Sequence, residues 1–191
     1  MKHWQLEAAL AWRYGLGQAY RTSLRERPRR PPGQGVAFTY GETPPRTAER
    51  LLNLTALSAG DRFLELGAGI GRVTLRAALR GADATGVEQL PSFVRSANRI
   101  AARLGLADRC RFIQGDLFDA DWSQATVLFT TPTTFSEADL DRLEGCYDTL
   151  QPGARLITLT QPPRHPGFTQ LVMDVLDFSW GPATVFVHQR A

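Results

Sequence analysis

The chain has 191 residues, 22 basic and 19 acidic, for a formal net charge of +3, and 43% of it is hydrophobic. That suits one globular domain whose core needs no disulfide or metal staple. Two cysteines exclude a disulfide framework, and no apolar run approaches the ~20 residues of a membrane helix. The opening residues carry Glu7 and no long apolar core, which disfavours a secretory leader, so a cytoplasmic protein with reduced Cys110 and Cys146 is expected.

Residues 1–50 hold nine basic and four acidic side chains, whereas residues 51–191 hold 13 and 15. The densest basic stretch is Arg21, Arg25, Arg27, Arg29 and Arg30, leading into Pro31-Pro32-Gly33. An arm of this kind suits contact with nucleic acid, an acidic protein surface or anionic lipid, or serves as a solvated linker. Trp4, Ala8, Ala11 and Trp12 fall at roughly helical spacing before Gly15 and Gly17, predicting one or two short helices over 3–24. Residues 28–42 are rich in Pro and Gly and read as a loop. This divides the chain into an N-terminal helical and basic arm, 1–37, and a main domain, 38–191.

Regular patterning then begins. Thr43-Pro44-Pro45 reads as an N-cap followed by proline in a first helical turn. Strands are predicted at 62–66, 84–88, 110–114, 126–130 and 154–160, with helices at 73–79 and 91–104 and another after a capping box at Ser136 and Asp139. Residues 171–178 and 183–189 read as an antiparallel edge pair around Trp180-Gly181-Pro182. Strands alternating with helices imply right-handed βαβ units. The fold class is therefore α/β: a Rossmann-like seven-stranded, mostly parallel sheet with helices on both faces, an antiparallel edge hairpin and a short N-terminal helical extension. In such sheets ligands lie beyond the carboxyl ends of the strands.

Just after the first strand stands Glu65-Leu66-Gly67-Ala68-Gly69-Ile70-Gly71. Its glycine spacing is GxGxG, and Arg72 occupies the third-glycine place of a dinucleotide fingerprint. No Lys-Ser/Thr pair follows in a P-loop arrangement, which disfavours nucleoside triphosphates. Glu88 ends the second strand, and a carboxylate there suits the two hydroxyls of a ribose. Asp116 follows the third strand, where an acid suits the exocyclic amine of adenine while Leu117 covers the ring. Three acids at successive strand ends, without a phosphate cradle, point to an adenosyl ligand that is cationic.

These segments are similar to the class I S-adenosylmethionine-dependent methyltransferases. The resemblance covers about residues 38–191 and rests on FLELGAGIGRVTL, GVEQ, RFIQGDLFDAD, ATVLFTTPTTF and LQPGARLITLT. It implies S-adenosylmethionine as cofactor, with Glu65, Gly67, Ala68, Gly69 and Gly71 at its methionine part, Glu88 and Gln89 at the ribose, and Asp116 and Leu117 at the adenine. Tyr40-Gly41-Glu42-Thr43 resembles the segment that covers the cofactor in non-SET, disruptor-of-telomeric-silencing-like lysine methyltransferases. In that likeness Thr43 contacts the methionine end, and Tyr40 or Glu42 closes the site. Thr131, Thr133 and Phe135, with Tyr40, are acceptor-channel candidates, and Thr131 also borders the cofactor. The stretch Thr130–Phe135 lacks the asparagines of the histone-type enzymes and the Asp/Asn-Pro-Pro-aromatic tetrad of nucleic-acid amino-methyltransferases.

The expected reaction is methyl transfer to an amine, first of all a protein lysine. Alternatives are a small-molecule methyltransferase, with the Trp4/Trp12 helix as a lid, and a binding protein without turnover. Nucleic acid is a conceivable partner of the basic arm but not the expected substrate. No metal is expected, since His3, His165 and His188 share no ligand spacing. His165 is a weaker candidate for the acceptor border.

Overall fold

The computed structural model describes residues 3–26 and 40–191. Seven strands form one sheet in the order β3-β2-β1-β4-β5-β7-β6. They are β1 (Arg62–Leu66), β2 (Asp83–Glu88), β3 (Cys110–Gln114), β4 (Val127–Thr130), β5 (Arg155–Leu159), β6 (Phe168–Phe178) and β7 (Gly181–Arg190). The first five run parallel, and β7 inserts antiparallel between β5 and β6. The order places β1 and β4 side by side at the centre, where the chain direction of the crossovers reverses. That is the switch point at which such sheets open a crevice.

Alternation along each strand sorts the core into two layers. Phe63, Val127, Phe129, Ile157 and Val185 face a layer that includes α3 (Pro45–Leu54), α4 (Arg72–Leu79) and α5 (Pro91–Arg103). Leu64, Leu66, Leu128 and Leu156 face the other layer, built from Trp122, Leu143, Tyr147 and Leu150. The second layer is thin: among the described residues α6 (Glu137–Cys146) is its one α-helix, and between β3 and β4 stands a 3₁₀ turn, Leu117–Asp119. The indole N–H of Trp122 donates to the Leu117 carbonyl (3.0 Å), tying this turn to the second core.

The N-terminal pattern forms α1 (His3–Tyr14) and α2 (Gln18–Glu26). Leu6, Leu10 and Tyr14 of α1 join the first core, and Tyr14 meets Phe93 of α5 edge-on at 5.6 Å. The boundary expected between 37 and 38, and the arginines at 27, 29 and 30, lie outside the described residues. The capping box expected before α6 is present, Ser136 and Asp139 each satisfying the other's backbone N–H. Thr43, by contrast, does not cap α3. Pro44 holds that place in an extended conformation, because consecutive prolines move the helix start one residue on. No helix among the described residues is long and apolar enough to cross a membrane.

Candidate functional site

The glycine turn after β1 is built by backbone. Gly67 and Ala68 N–H groups both donate to the Val87 carbonyl of β2 (2.9 Å each), and Gly71 N–H donates to the Ala68 carbonyl (2.8 Å). Gly67, Gly69 and Gly71 have φ of 79°, 54° and 83°, a region costly for residues with a Cβ. Their surroundings separate their roles. Nothing lies within 4 Å of a Cβ placed at Gly67, whereas one at Gly71 would meet the Phe112 ring at 2.6 Å. Gly71 therefore lets α4 close on β3, and Gly67 leaves room for a ligand.

A cavity of about 520 Å³ opens beyond the turn. Its lining includes Gly67, Gly69, Glu88, Gln89, Asp116 and Leu117 from the ends of β1, β2 and β3. Thr131, Thr133 and Phe135 line it after β4, and Tyr40 and Trp180 line it from two distant segments. Ten expected residues thus share one cavity. Glu42, Thr43, Glu65, Ala68 and Gly71 are not among its lining residues. A larger groove, about 780 Å³, follows Thr85, Arg111 and Ile113 on the thinly covered sheet face. It has neither the glycine turn nor Glu88, so the smaller cavity is the candidate site.

The two glutamates share one face of the sheet but stand at different depths: Glu65 pairs in register with Gly86, and Glu88 lies two residues further along β2, past the end of β1. Glu65 is enclosed, and its carboxylate accepts from the backbone N–H (2.9 Å) and the hydroxyl of Thr74 in the first turn of α4. It bonds to the helix that carries the turn and is not among the residues that line the cavity. Burial pushes its pKa up to about 8 despite the Thr74 bonds, and the Glu88 charge adds to the rise. Glu88 reaches the cavity. It accepts from Gly69 N–H (2.7 Å) and Leu90 N–H (2.9 Å), so one carboxylate ties the glycine turn to the start of α5. Its pKa is also raised by burial, opposed by these backbone donors. With the Gln89 N–H as a further donor, acceptor capacity still remains on the carboxylate for a ligand hydroxyl. Asp116 accepts from Phe118 N–H (3.0 Å), which fixes the 3₁₀ turn that carries Leu117.

Tyr40 packs against Phe93 (5.3 Å) and over Gly69, where an added Cβ would touch its ring at 3.4 Å. Its segment is held at three points. Glu42 N–H donates to the Ser179 hydroxyl (2.7 Å), and Ser179 N–H donates to the Glu42 carbonyl (3.0 Å). Gly41 sits against Trp180, whose ring atoms would lie 2.2 Å from a Cβ there. Arg72 donates to the Glu42 carboxylate (3.1 Å) and the Thr43 carbonyl (2.9 Å), and pairs with Glu7 of α1 (3.2 Å). Glu42 and Thr43 therefore secure the cover through Arg72 and Ser179. Burial and the neighbouring Glu42 carboxylate push the Tyr40 hydroxyl far above the usual tyrosine range.

Sequence reasoning missed Arg72, Gly41, Ser179, Trp180, Phe118 and Arg142. Arg72 had a signal, since it occupies the third-glycine place. Trp180 had none, because its approach depends on a hairpin 140 residues away from Gly41. Arg142 stacks over Phe118 at 4.0 Å, and Phe118 meets Phe135 at 6.3 Å, forming the rim. His165 stands elsewhere, its ring on Asp148 (2.7 Å) and on Gly167 N–H (3.0 Å). Trp4 and Trp12 face solvent and do not line the cavity, so the lid expected from that helix is supplied by Tyr40 and Trp180.

The donor set fits a cationic adenosyl ligand. A glycine-built opening at Gly67, two acids on the wall and an apolar cover suit a ribose, an adenine and a sulfonium, with no phosphate cradle to fill. Residues 57–141 match the family model of a methyltransferase domain. A protein-lysine N-methyltransferase of Saccharolobus islandicus is 30% identical over 122 residues, covering 62% of this chain and 74% of that protein. A 23S rRNA (uracil(1939)-C(5))-methyltransferase of Nitrosospira multiformis is 39% identical over 74 residues, of which this chain spans 17% of the length. The crystal structure of an RNA methyltransferase from Salinibacter ruber in complex with S-adenosyl-L-homocysteine superposes with a TM-score of 0.65 at 30% identity. That likeness covers 76% of this chain and 91% of the other.

Proposed function

This chain belongs to the S-adenosylmethionine-dependent methyltransferases, and on that premise we propose that it methylates the side-chain amine of a protein lysine. S-adenosylmethionine, when bound, supplies an electrophilic methyl carbon on a positively charged sulfur. The acids that hold it are Glu88 for the ribose hydroxyls and Asp116, with Leu117, for the adenine. Gly67 and Gly69 leave space for the methionine part beneath Tyr40. Glu65 and Gly71 act one step removed, through Thr74 and Phe112, by holding α4 and its turn. Ala68 contributes the backbone that closes the turn, and Gln89 borders the ribose side.

The observation that carries the lysine reading is the lining beyond β4. Tyr40, Phe118, Phe135 and Trp180 offer rings, and Thr131 and Thr133 offer hydroxyls, within the same cavity. Apolar walls suit the aliphatic stem of lysine. Removing the ammonium from water lowers its pKa and favours the neutral amine, the form that can attack. The threonine hydroxyls accept its N–H bonds and aim the lone pair, and alignment in a dry channel supplies the acceleration. The Saccharolobus relative supports this acceptor. The Salinibacter likeness favours a second reading, an RNA base. In either reading residues 38–191 form the catalytic domain, and α1 packs onto its core through Leu6, Leu10 and Tyr14.

The test is to supply S-adenosylmethionine with a labelled methyl to the protein and a cell extract, then separate protein, RNA and small molecules. Label in protein, recovered as methyl-lysine after hydrolysis and lost with Glu88→Ala, is the expected result. Label recovered in RNA or in the small-molecule fraction overturns the lysine assignment.

A further inference from the structure

The surface helix α1 is apolar on both sides. Leu6, Leu10 and Tyr14 point inward and are buried. At 100° per residue, Trp4, Ala8, Ala11 and Trp12 fall within about 100° of arc on the opposite side. Trp4 is 70% exposed and Trp12 88%. A surface helix ordinarily turns charged residues outward, so a doubly apolar one marks a face that meets something else. The turn that follows extends this face. Leu16 stands between Gly15 and Gly17 with φ of 57° and is 96% exposed. Tyr20 and Leu24 of α2 are also exposed.

Charge on this surface has one sign. The two acids of the hairpin turn inward: Glu7 to Arg72 and Arg76, and Glu26 to the N–H and hydroxyl of Ser92. Arg21 and Arg25 are exposed and make no ion pair among the described residues. Arg13 bonds only to Ser96 (2.9 Å) and stacks on Tyr14 (4.7 Å). On α5, Arg95, Arg99 and Arg103 are exposed, one turn apart. They lie within about 100° of arc that also holds Ser92 and Ser96, the positions touched by α2 and α1. Six arginines with no acidic partner among the described residues thus stand on the α1–α2 hairpin and on the helix it packs against.

We infer that the outward face of the α1–α2 hairpin docks on an anionic lipid surface. Tryptophan rings suit the headgroup level, the Leu16 tip suits the acyl boundary, and guanidinium groups suit lipid phosphates. Arginines alone would serve a nucleic acid equally well. The leucine tip and the alanines between the tryptophans decide for lipid, since they offer nothing to a base edge or a phosphate.

The full chain would be sedimented with phosphatidylcholine vesicles made with and without phosphatidylglycerol. Binding that needs phosphatidylglycerol and weakens with salt is expected. The pair Trp12→Ser/Leu16→Ser and, separately, Arg21→Glu/Arg25→Glu should each lower partitioning on the order of tenfold or more. Both variants should keep the circular dichroism and the S-adenosylhomocysteine affinity of the parent, because none of these residues lines the cavity. Three results overturn the inference: no binding to the anionic vesicles at low salt, unchanged partitioning in both variants, or a dimer of the parent that Trp12→Ser/Leu16→Ser dissolves. Binding to poly(U) RNA that is lost with Trp12→Ser/Leu16→Ser, without vesicle binding, overturns it in favour of a nucleic acid. These readouts do not depend on methyl transfer, so they succeed or fail apart from the lysine assignment.

Discussion

Replacing Glu65 by glutamine isolates the electrostatic cost of placing an acid beneath the glycine turn. Burial raises the Glu65 pKa from 4.5 to about 8. A raised folded-state value means that the stabilising contribution is complete below pH 4.5 and is lost as the pH rises through about 8. Between those limits the unfolded chain has released the proton and the folded chain still holds it. Each pH unit then costs about 1.4 kcal/mol, and the full interval at most about 5 kcal/mol. Glutamine keeps an acceptor for the Thr74 N–H and has no such proton to lose. Urea unfolding of parent and variant, followed by circular dichroism at several values between pH 5 and pH 9, gives the difference directly. The variant should gain on the parent by up to about 1.4 kcal/mol per unit until about pH 8, then hold level. Glu88, whose pKa is raised, and His188, whose pKa is lowered by burial, remain in both proteins and largely cancel in the difference. Parallel pH profiles would refute the reasoning. At pH 6, S-adenosylhomocysteine affinity should change by less than about threefold, and a loss on the order of a hundredfold would instead return Glu65 to direct ligand contact.

Glu88→Ala removes the carboxylate that joins Gly69 to Leu90 and that we propose for the ribose, and cofactor affinity should fall roughly ten- to a hundredfold in calorimetric titration; undiminished affinity would remove Glu88 from the site. Gly71→Ala forces a Cβ to 2.6 Å from the Phe112 ring at φ of 83° and should cost about 2–5 kcal/mol in urea unfolding, whereas a loss below about 1 kcal/mol would mean that the turn relaxes freely. Arg72→Ala cuts the ties to Glu7, Glu42 and Thr43, so amide exchange at 40–43 should accelerate and cofactor affinity should drop severalfold. Unchanged exchange there would show that Ser179 and Trp180 hold the cover alone.

Most of the sheet was legible because strand and helix periods are local. β1 and β3 have the bounds predicted from RFLEL and CRFIQ, and the capping box before α6 is written in four consecutive residues. That the first five strands run parallel follows from their alternation with helices, whereas the jump from β3 across to β4 beside β1 is not written in any local pattern. Gly67, Gly69, Glu88 and Asp116 were legible as site residues because a parallel sheet delivers the ends of its central strands to one crevice. The cover was not. Glu42 meets Ser179, and Gly41 meets Trp180, only because the β6–β7 hairpin at the sheet edge turns back against this segment, and no local period encodes that approach. The division of labour between Glu65 and Glu88 was also hidden, since both stand near the ends of adjacent strands and both look like ligands. Depth along the strands decides it: on the same face, Glu65 pairs with Gly86 beneath α4, and Glu88 stands past the end of β1 at the cavity. Composition and spacing thus determined an α/β sheet with its acids and glycines in order, and the resemblance of those segments added the methyltransferase family. Only tertiary packing decided which acid lines the cavity, which distant segments border it, and that the outward face of α1 stays apolar, because burial depends on neighbours brought together from across the chain.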